Sequence, residues 1–340
     1  MAKLDAHERL VTHHSITIDT QFRTQIDEKT KQQCICPVPE MTQLAPLIIE
    51  TIGLHHRYER GDVILTLQDA RLYSSREDSV PTHIALMVNA VDKNGSATVL
   101  KNTETKSRME FSPKYDEGEG YEVSAHIAIC LSGEKRTYDM AYTPIPGIST
   151  GRMNSFLDRV LFKISKDHER DFTYSSPTYL VDPQNNKKIK ILYKAVFDLK
   201  GKLDEELFTK LSSNGLSDVL LIKDEFSTIN APDVNSAYIP KQTTLRLHPN
   251  HGKDVIGWLK NLGSHFKKDT NGGYDKIKIK FTEPDTNSPR QVEFSTNNIK
   301  LDALEKTFVK KNIISGFSSR LKDSYDTIND EFIKKIVDLM

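Results

Sequence analysis

The sequence predicts an α+β protein in two parts. Residues 1–165 read as a β-rich antiparallel N-terminal domain, and residues 177–340 as a ferredoxin-like βαββαβ domain that ends in a C-terminal helix. Three observations predict this. Short apolar runs separated by glycine and asparagine turns fill most of the first half. Near Pro144 the pattern changes to a helical period. After residue 190, strand-like and helix-like segments follow in the order β, α, β, β, α, β. At 340 residues the chain is about twice a common domain, and 37% hydrophobic with 28% charged residues is the composition of a folded globular protein.

In the first half, Pro39 and Glu40 open a helix expected over Val38–Ile52, and Gly53 stops it. Strands are expected at Tyr58–Tyr73, His83–Val91, Ala97–Leu100 and Val123–Leu131, with turns at Lys93-Asn94-Gly95 and Glu117–Gly120. Their spacing suggests a meander or a small barrel. Pro144–Thr150 is a rigid turn ending in a capping hydroxyl. It launches a helix whose stripe is Met153, Phe156, Leu157, Val160, Leu161 and Ile164, with Arg152, Asp158, Arg159 and Lys163 off it. The domain junction is placed in the polar stretch Ser165–Ser176.

The second half offers strands at Ile191–Leu199, Asp218–Phe226, Thr243–His248 and Lys276–Phe281, with helices at Leu203–Ser212 and Gly252–Lys268. A further strand at Gln291–Ser295 completes a hairpin. A terminal helix is expected over Ser315–Leu339. Its residues Leu321, Tyr325, Ile328, Phe332 and Ile336 recur every three or four positions, which predicts a homodimer seam. Packing of the same stripe on the chain's own sheet is the rival reading.

Several function classes lose support at this stage. No apolar run approaches the roughly 18–20 residues of a membrane span, and Met1–Leu10 lacks the apolar core of a signal peptide, so a cytoplasmic protein without membrane insertion is expected. Cys34, Cys36 and Cys130 are odd in number, which agrees with a reducing compartment. Cys34 and Cys36 with His13, His14, His55 and His56 invite zinc, but one Cys-x-Cys followed by Pro37 lacks the knuckle spacing. Asp116–Gly120 before His126 reads as a plain turn, and Lys223-Asp224-Glu225 has the wrong order for a restriction-type nuclease core. Dinucleotide, Walker, nucleophile-elbow and kinase motifs are absent, so no catalytic residue, metal or cofactor is assigned.

Charge supplies the directional signal. The net charge is zero, yet residues 1–150 hold 16 Lys+Arg against 21 Asp+Glu, and the remainder holds 31 against 26. Lys276-Ile277-Lys278-Ile279-Lys280-Phe281 alternates strictly, which sends Ile277, Ile279 and Phe281 to one face and three lysines to the other. In a βαββαβ sheet the open face collects Lys194, Arg246, Lys276, Lys278 and Lys280, with Lys267 and Lys268 at the adjacent helix end. Without exposed aromatics, such a face suits phosphate contacts with DNA, or with RNA, better than base readout. If this face docks on the acidic first half, the chain is instead an interaction or scaffold module. An unrecognised metal-dependent nuclease is the third reading.

The order of elements over residues 190–340, the hairpin with acidic turn Lys280–Asp285, and the strand Ser124–Ile129 carry a resemblance. On them the chain resembles phage-exclusion proteins of the lambda Rex A type, and the Ser124–Ile129 strand is similar to strands in proteins of bacterial mobile elements. That resemblance implies a non-catalytic, dimeric, DNA-binding component of bacterial antiviral defence, with a second defence-system protein as a further expected partner.

Overall fold

The structure is a computed structural model. It describes residues 5–26, 34–74, 79–175, 188, 190–202, 204, 216–228, 238–247, 273–283, 288–295 and 309–340. In chain order the elements begin with β1 (Arg9–Phe22), α1 (Met41–Ile49), β2 (His55–Tyr58), β3 (Val63–Tyr73), β4 (His83–Asp92), β5 (Thr98–Lys101) and β6 (Arg108–Phe111). There follow β7 (Tyr121–Glu134), β8 (Thr137–Tyr142), α2 (Thr150–Asp167), β9 (Thr173–Ser175) and β10 (Lys190–Gly201). The rest are β11 (Leu216–Thr228), β12 (Tyr238–Leu247), β13 (Lys276–Glu283), β14 (Ser288–Ser295), β15 (Lys311–Ile314) and α3 (Asp330–Val337). They form two compact units, Met1–Lys200 with Lys311–Met340, and Gly201–Lys310.

The first unit is built on a nine-stranded sheet in the order β2-β3-β4-β7-β8-β1-β10-β9, with β15 also paired to β1. Its centre is legible in β4, where His83–Ala90 is buried on both faces, so that the strand reads as one apolar run instead of alternating. One face carries Ile16 and Ile18 of β1, Leu65 and Leu67 of β3, Ile84 and Leu86 of β4, and Ile127 and Ile129 of β7. Against it pack α1, through Leu44 and Ile48, and α2, through Phe156, Leu157 and Leu161. All six stripe residues of α2 are buried, and its N-cap Ser149 accepts a hydrogen bond from the Arg152 N–H at 3.2 Å. In α1 the Glu40 N–H donates to Gln43 Oε1 at 2.9 Å, half of a capping box that starts the helix.

The opposite face is lined by smaller residues, Val11, Ala85, Ala128 and Ala141 among them, and the C-terminal segment covers it. Here the expected helix over Ser315–Leu339 is corrected: only Asp330–Val337 is helical. Residues 315–329 run as an irregular strap, and polar side chains of the sheet satisfy its backbone. Asn89 Nδ2 donates to the Tyr325 carbonyl at 3.1 Å, and Ser124 Oγ accepts from the Tyr325 N–H at 2.9 Å. Asp69 Oδ2 accepts from the Ile328 N–H at 2.8 Å, and His126 Nε2 from the Asn329 N–H at 3.2 Å. These side chains offer the strap an alternative to helical hydrogen bonds. Leu321, Ile328, Phe332 and Ile336 are buried in this layer, with Tyr325 half-buried against it. The stripe read as a dimer seam is thus core of its own unit.

The ferredoxin-like domain is overturned. The segment expected as its first strand is β10, which lies between β1 and β9 in the large sheet. Tyr193, Ala195 and Phe197 bury their side chains in the core shared with α2, which is what holds β10 there. The stretch 165–176 expected as the junction contains β9 and precedes β10, both strands of the first unit.

The second unit has a four-stranded sheet in the order β12-β11-β13-β14, antiparallel at every pairing. A βαββαβ sheet needs a parallel central pair and places its last strand beside its first. Here β11 pairs with both β12 and β13. The expected helices at 203–212 and 252–268 lie outside the described residues.

Candidate nucleic-acid interface

Alternation along β13 acts locally as its sequence requires. Ile277 and Ile279 are each 1% exposed, while Lys276, Lys278 and Lys280 are partly exposed on the other face. The side chain of Phe281 lies outside the described residues. Register extends that face across β11: Lys276 stands opposite Ile222, Lys278 opposite Leu220 and Lys280 opposite Asp218. Leu220 is also the partner of Arg246 on β12, so Arg246 shares the face with the three lysines. Successive lysine Cα atoms are then about 6.6 Å apart along the strand, from a rise of about 3.3 Å per residue.

Arg246 has an acidic partner on the neighbouring strand. Arg246 Nε and Nη2 donate to the two oxygens of the buried Asp218 carboxylate at 2.7 and 2.6 Å, a fork-on-fork ion pair. That hydrogen bonding, together with the carboxylate's charge, holds the Arg246 pKa above its ordinary value. Arg246 therefore anchors β12 to β11, and Glu293 of β14 occupies the register position opposite Lys278.

The remaining predicted contacts separate from it. Lys194 sits on β10 of the first unit, its Nζ 5.7 Å from the centre of the Phe162 ring, where Lys166 at 4.7 Å and Arg23 at 5.6 Å also gather. Beside it, burial pushes the Asp158 carboxyl up, while a hydrogen bond from the Phe197 N–H and the Lys194 charge oppose the shift. Lys267 and Lys268 lie outside the described residues. The structure brings together Arg246, Lys276, Lys278 and Lys280, and puts Lys194 in a different sheet.

The candidate metal ligands likewise have other partners. His13 and His14 point to opposite faces of β1: His13 Nε2 lies 2.8 Å from Asn312 Oδ1, and His14 Nε2 lies 3.0 Å from Thr12 Oγ1. Burial, then the neighbouring His13, lowers the His14 pKa to about 4. Cys34 and Cys36 are buried, and burial, then the Cys34 charge, pushes the Cys36 thiol up to about 11, which leaves it a poor nucleophile. Asp116 and Glu117 form an exposed 3₁₀ turn ending at Gly118 (φ +87°), whereas His126 is 1% exposed beneath the strap.

Sequence reasoning missed one pair altogether. Cys130 Sγ lies 3.3 Å from His83 Nε2 across the β4–β7 ladder, and His83 Nδ1 lies 2.8 Å from Thr82 Oγ1. The two residues are 47 positions apart, and strand register alone makes them neighbours.

No family model matches this chain, and comparison with curated proteins and with solved structures finds no match.

Proposed function

We propose that this chain is a non-catalytic binder of nucleic-acid phosphates that works through the β13 face of its second unit. The observation that supports this reading is the lysine row Lys276, Lys278 and Lys280, set on one face of a strand whose alternate residues Ile277 and Ile279 are core. Core packing fixes the strand, so the three ammonium groups are presented in line at a two-residue step. A row of this kind follows a phosphate backbone and carries no means of reading bases, so binding is indifferent to sequence. The phage-exclusion resemblance supplies the setting: a cytoplasmic component of bacterial antiviral defence, with DNA as the polyanion.

Fluorescence anisotropy with mixed-sequence duplex and single-stranded DNA, with and without Mg²⁺, tests the reading. The triple substitution Lys276→Gln, Lys278→Gln and Lys280→Gln leaves Ile277 and Ile279 in place. Loss of three phosphate contacts should flatten the logarithmic salt slope by about 2.7 units on duplex and about 2.1 on single strands. A triple variant with parental affinity and slope would return the row to ordinary solvated surface and favour the scaffold reading. Mg²⁺-dependent cleavage would overturn the non-catalytic part.

A further inference from the structure

Connections at one end of the large sheet border an open, mostly polar depression of about 540 Å³. It is lined by Arg57 at the end of β2, Arg60 and Asp62 in the β2–β3 turn, Lys93 after β4, and Tyr115 in the turn before β7. Three cations thus face one carboxylate. Among the described residues none of the three makes an ion pair, and Glu59 in the same turn is engaged elsewhere, its Oε1 meeting Arg152 Nη2 at 2.5 Å. The lining therefore carries an excess of positive charge, three cations to the one Asp62 carboxylate.

The loops are tied to one another before any ligand arrives. The Lys93 N–H donates to the Asp62 carbonyl at 2.9 Å, and the Tyr115 hydroxyl donates to the Gly95 carbonyl at 2.7 Å. Tyr115 is therefore held by its hydroxyl while its ring stays 44% exposed at the pocket wall. The β2–β3 turn is also strained. Glu59 and Arg60 both adopt left-handed backbone conformations, at φ +50° and +60°, ahead of Gly61 at +105°. Non-glycine residues persist in that region where the surroundings impose it, and such positions gather at ligand clamps. Guanidinium and ammonium groups recognise phosphate, and an anchored, exposed phenol ring offers a face for stacking.

We propose that this pocket binds a free nucleotide, its phosphates held by Arg57, Arg60 and Lys93 and its base stacked on Tyr115. Its lining residues all belong to the first unit, and the assignment does not rest on the β13 reading. Isothermal titration of the full chain with ATP tests the assignment, with inorganic tripolyphosphate and a 5′-phosphorylated oligo-dA as the other probes. Saturable ATP binding is expected, tighter than tripolyphosphate binding. Tyr115→Leu should weaken ATP about 5- to 160-fold, as loss of one base-stacking partner does, while Tyr115→Phe, which keeps the ring, stays close to the parent. The double variant Arg57→Gln/Lys93→Gln, at an exposed and a partly exposed side chain, should weaken ATP and tripolyphosphate alike. The β13 triple variant should bind ATP as the parent does. A flat ATP isotherm, parental ATP affinity in Tyr115→Leu or in the double variant, or loss of ATP binding in the β13 variant overturns the proposal. Tighter binding of oligo-dA at these same residues would also overturn it, by assigning the pocket to a single strand.

Discussion

Replacing Phe332 by alanine separates the two fates open to the terminal stripe. Phe332 is 2% exposed, stacks face to face on the His126 imidazole with centroids 4.5 Å apart and planes 6° apart, and meets Phe317 and Tyr325 at 4.8 and 5.7 Å. Truncating a buried phenylalanine costs about 3–5 kcal/mol, and the stacked imidazole, worth about 0.5–1.5 kcal/mol of that, puts this site near the top of the range. At a urea dependence of about 3 kcal/mol per molar, the first unit's unfolding midpoint should fall by about 1.5 M. Urea titrations followed by far-UV circular dichroism, run at low and high micromolar protein, measure it. In a stripe that belongs to the chain's own core, the loss is the same at both concentrations. A midpoint that rises with protein concentration in the parent and loses that dependence in Phe332→Ala would return the stripe to a dimer seam. A loss below about 1 kcal/mol would refute the packing argument itself.

Two further outcomes follow from the same sheet. Burial, then the charges of Arg9 and Arg71, lowers the His126 pKa to about 3, so the folded state keeps this imidazole neutral while the unfolded chain protonates near 6.5. Its contribution is complete above pH 6.5 and is lost as the pH falls from there towards 3, at about 1.4 kcal/mol per pH unit. Stability profiles of the parent and of His126→Phe, which keeps a ring against Phe332, should converge at that rate below pH 6.5, and parallel profiles would refute it. Gly133→Ala would place a methyl group 2.3 Å from the Thr137 carbonyl oxygen and 2.6 Å from the Tyr138 ring. A backbone atom cannot step aside cheaply, so the β7–β8 hairpin should lose about 1–3 kcal/mol, and an unchanged thermal midpoint would count against the close approach.

The pattern of what the sequence disclosed follows from how far each signal reaches. Periodicity is local, and it correctly paired the α2 stripe with a buried face and the β13 isoleucines with a core. It says which residues of a strand share a face but not which sheet the strand joins. Ile191, Tyr193, Ala195 and Phe197 alternate as well for a ferredoxin-like sheet as for their place between β1 and β9, and what decides is the α2 surface they fill. With β10 in the large sheet, Lys194 is no longer a sheet neighbour of Lys276, so one topological error dismantled a site assembled by strand adjacency. The strap shows the same limit from another side. Its apolar residues recur at helical spacing, yet Asp69, Asn89, Ser124 and His126 on three distant strands supply its backbone with partners, and no window of the strap's own sequence contains them. The Arg57, Arg60, Lys93 and Tyr115 pocket lies furthest beyond local signals, because it joins three separate connections of one sheet. What the sequence did carry there was Lys93-Asn94-Gly95 and Glu117–Gly120 as turns. Turns that close neighbouring strands at the same end of a sheet must approach one another, so charged residues flanking such turns are where a ligand site should be sought once strand order is known.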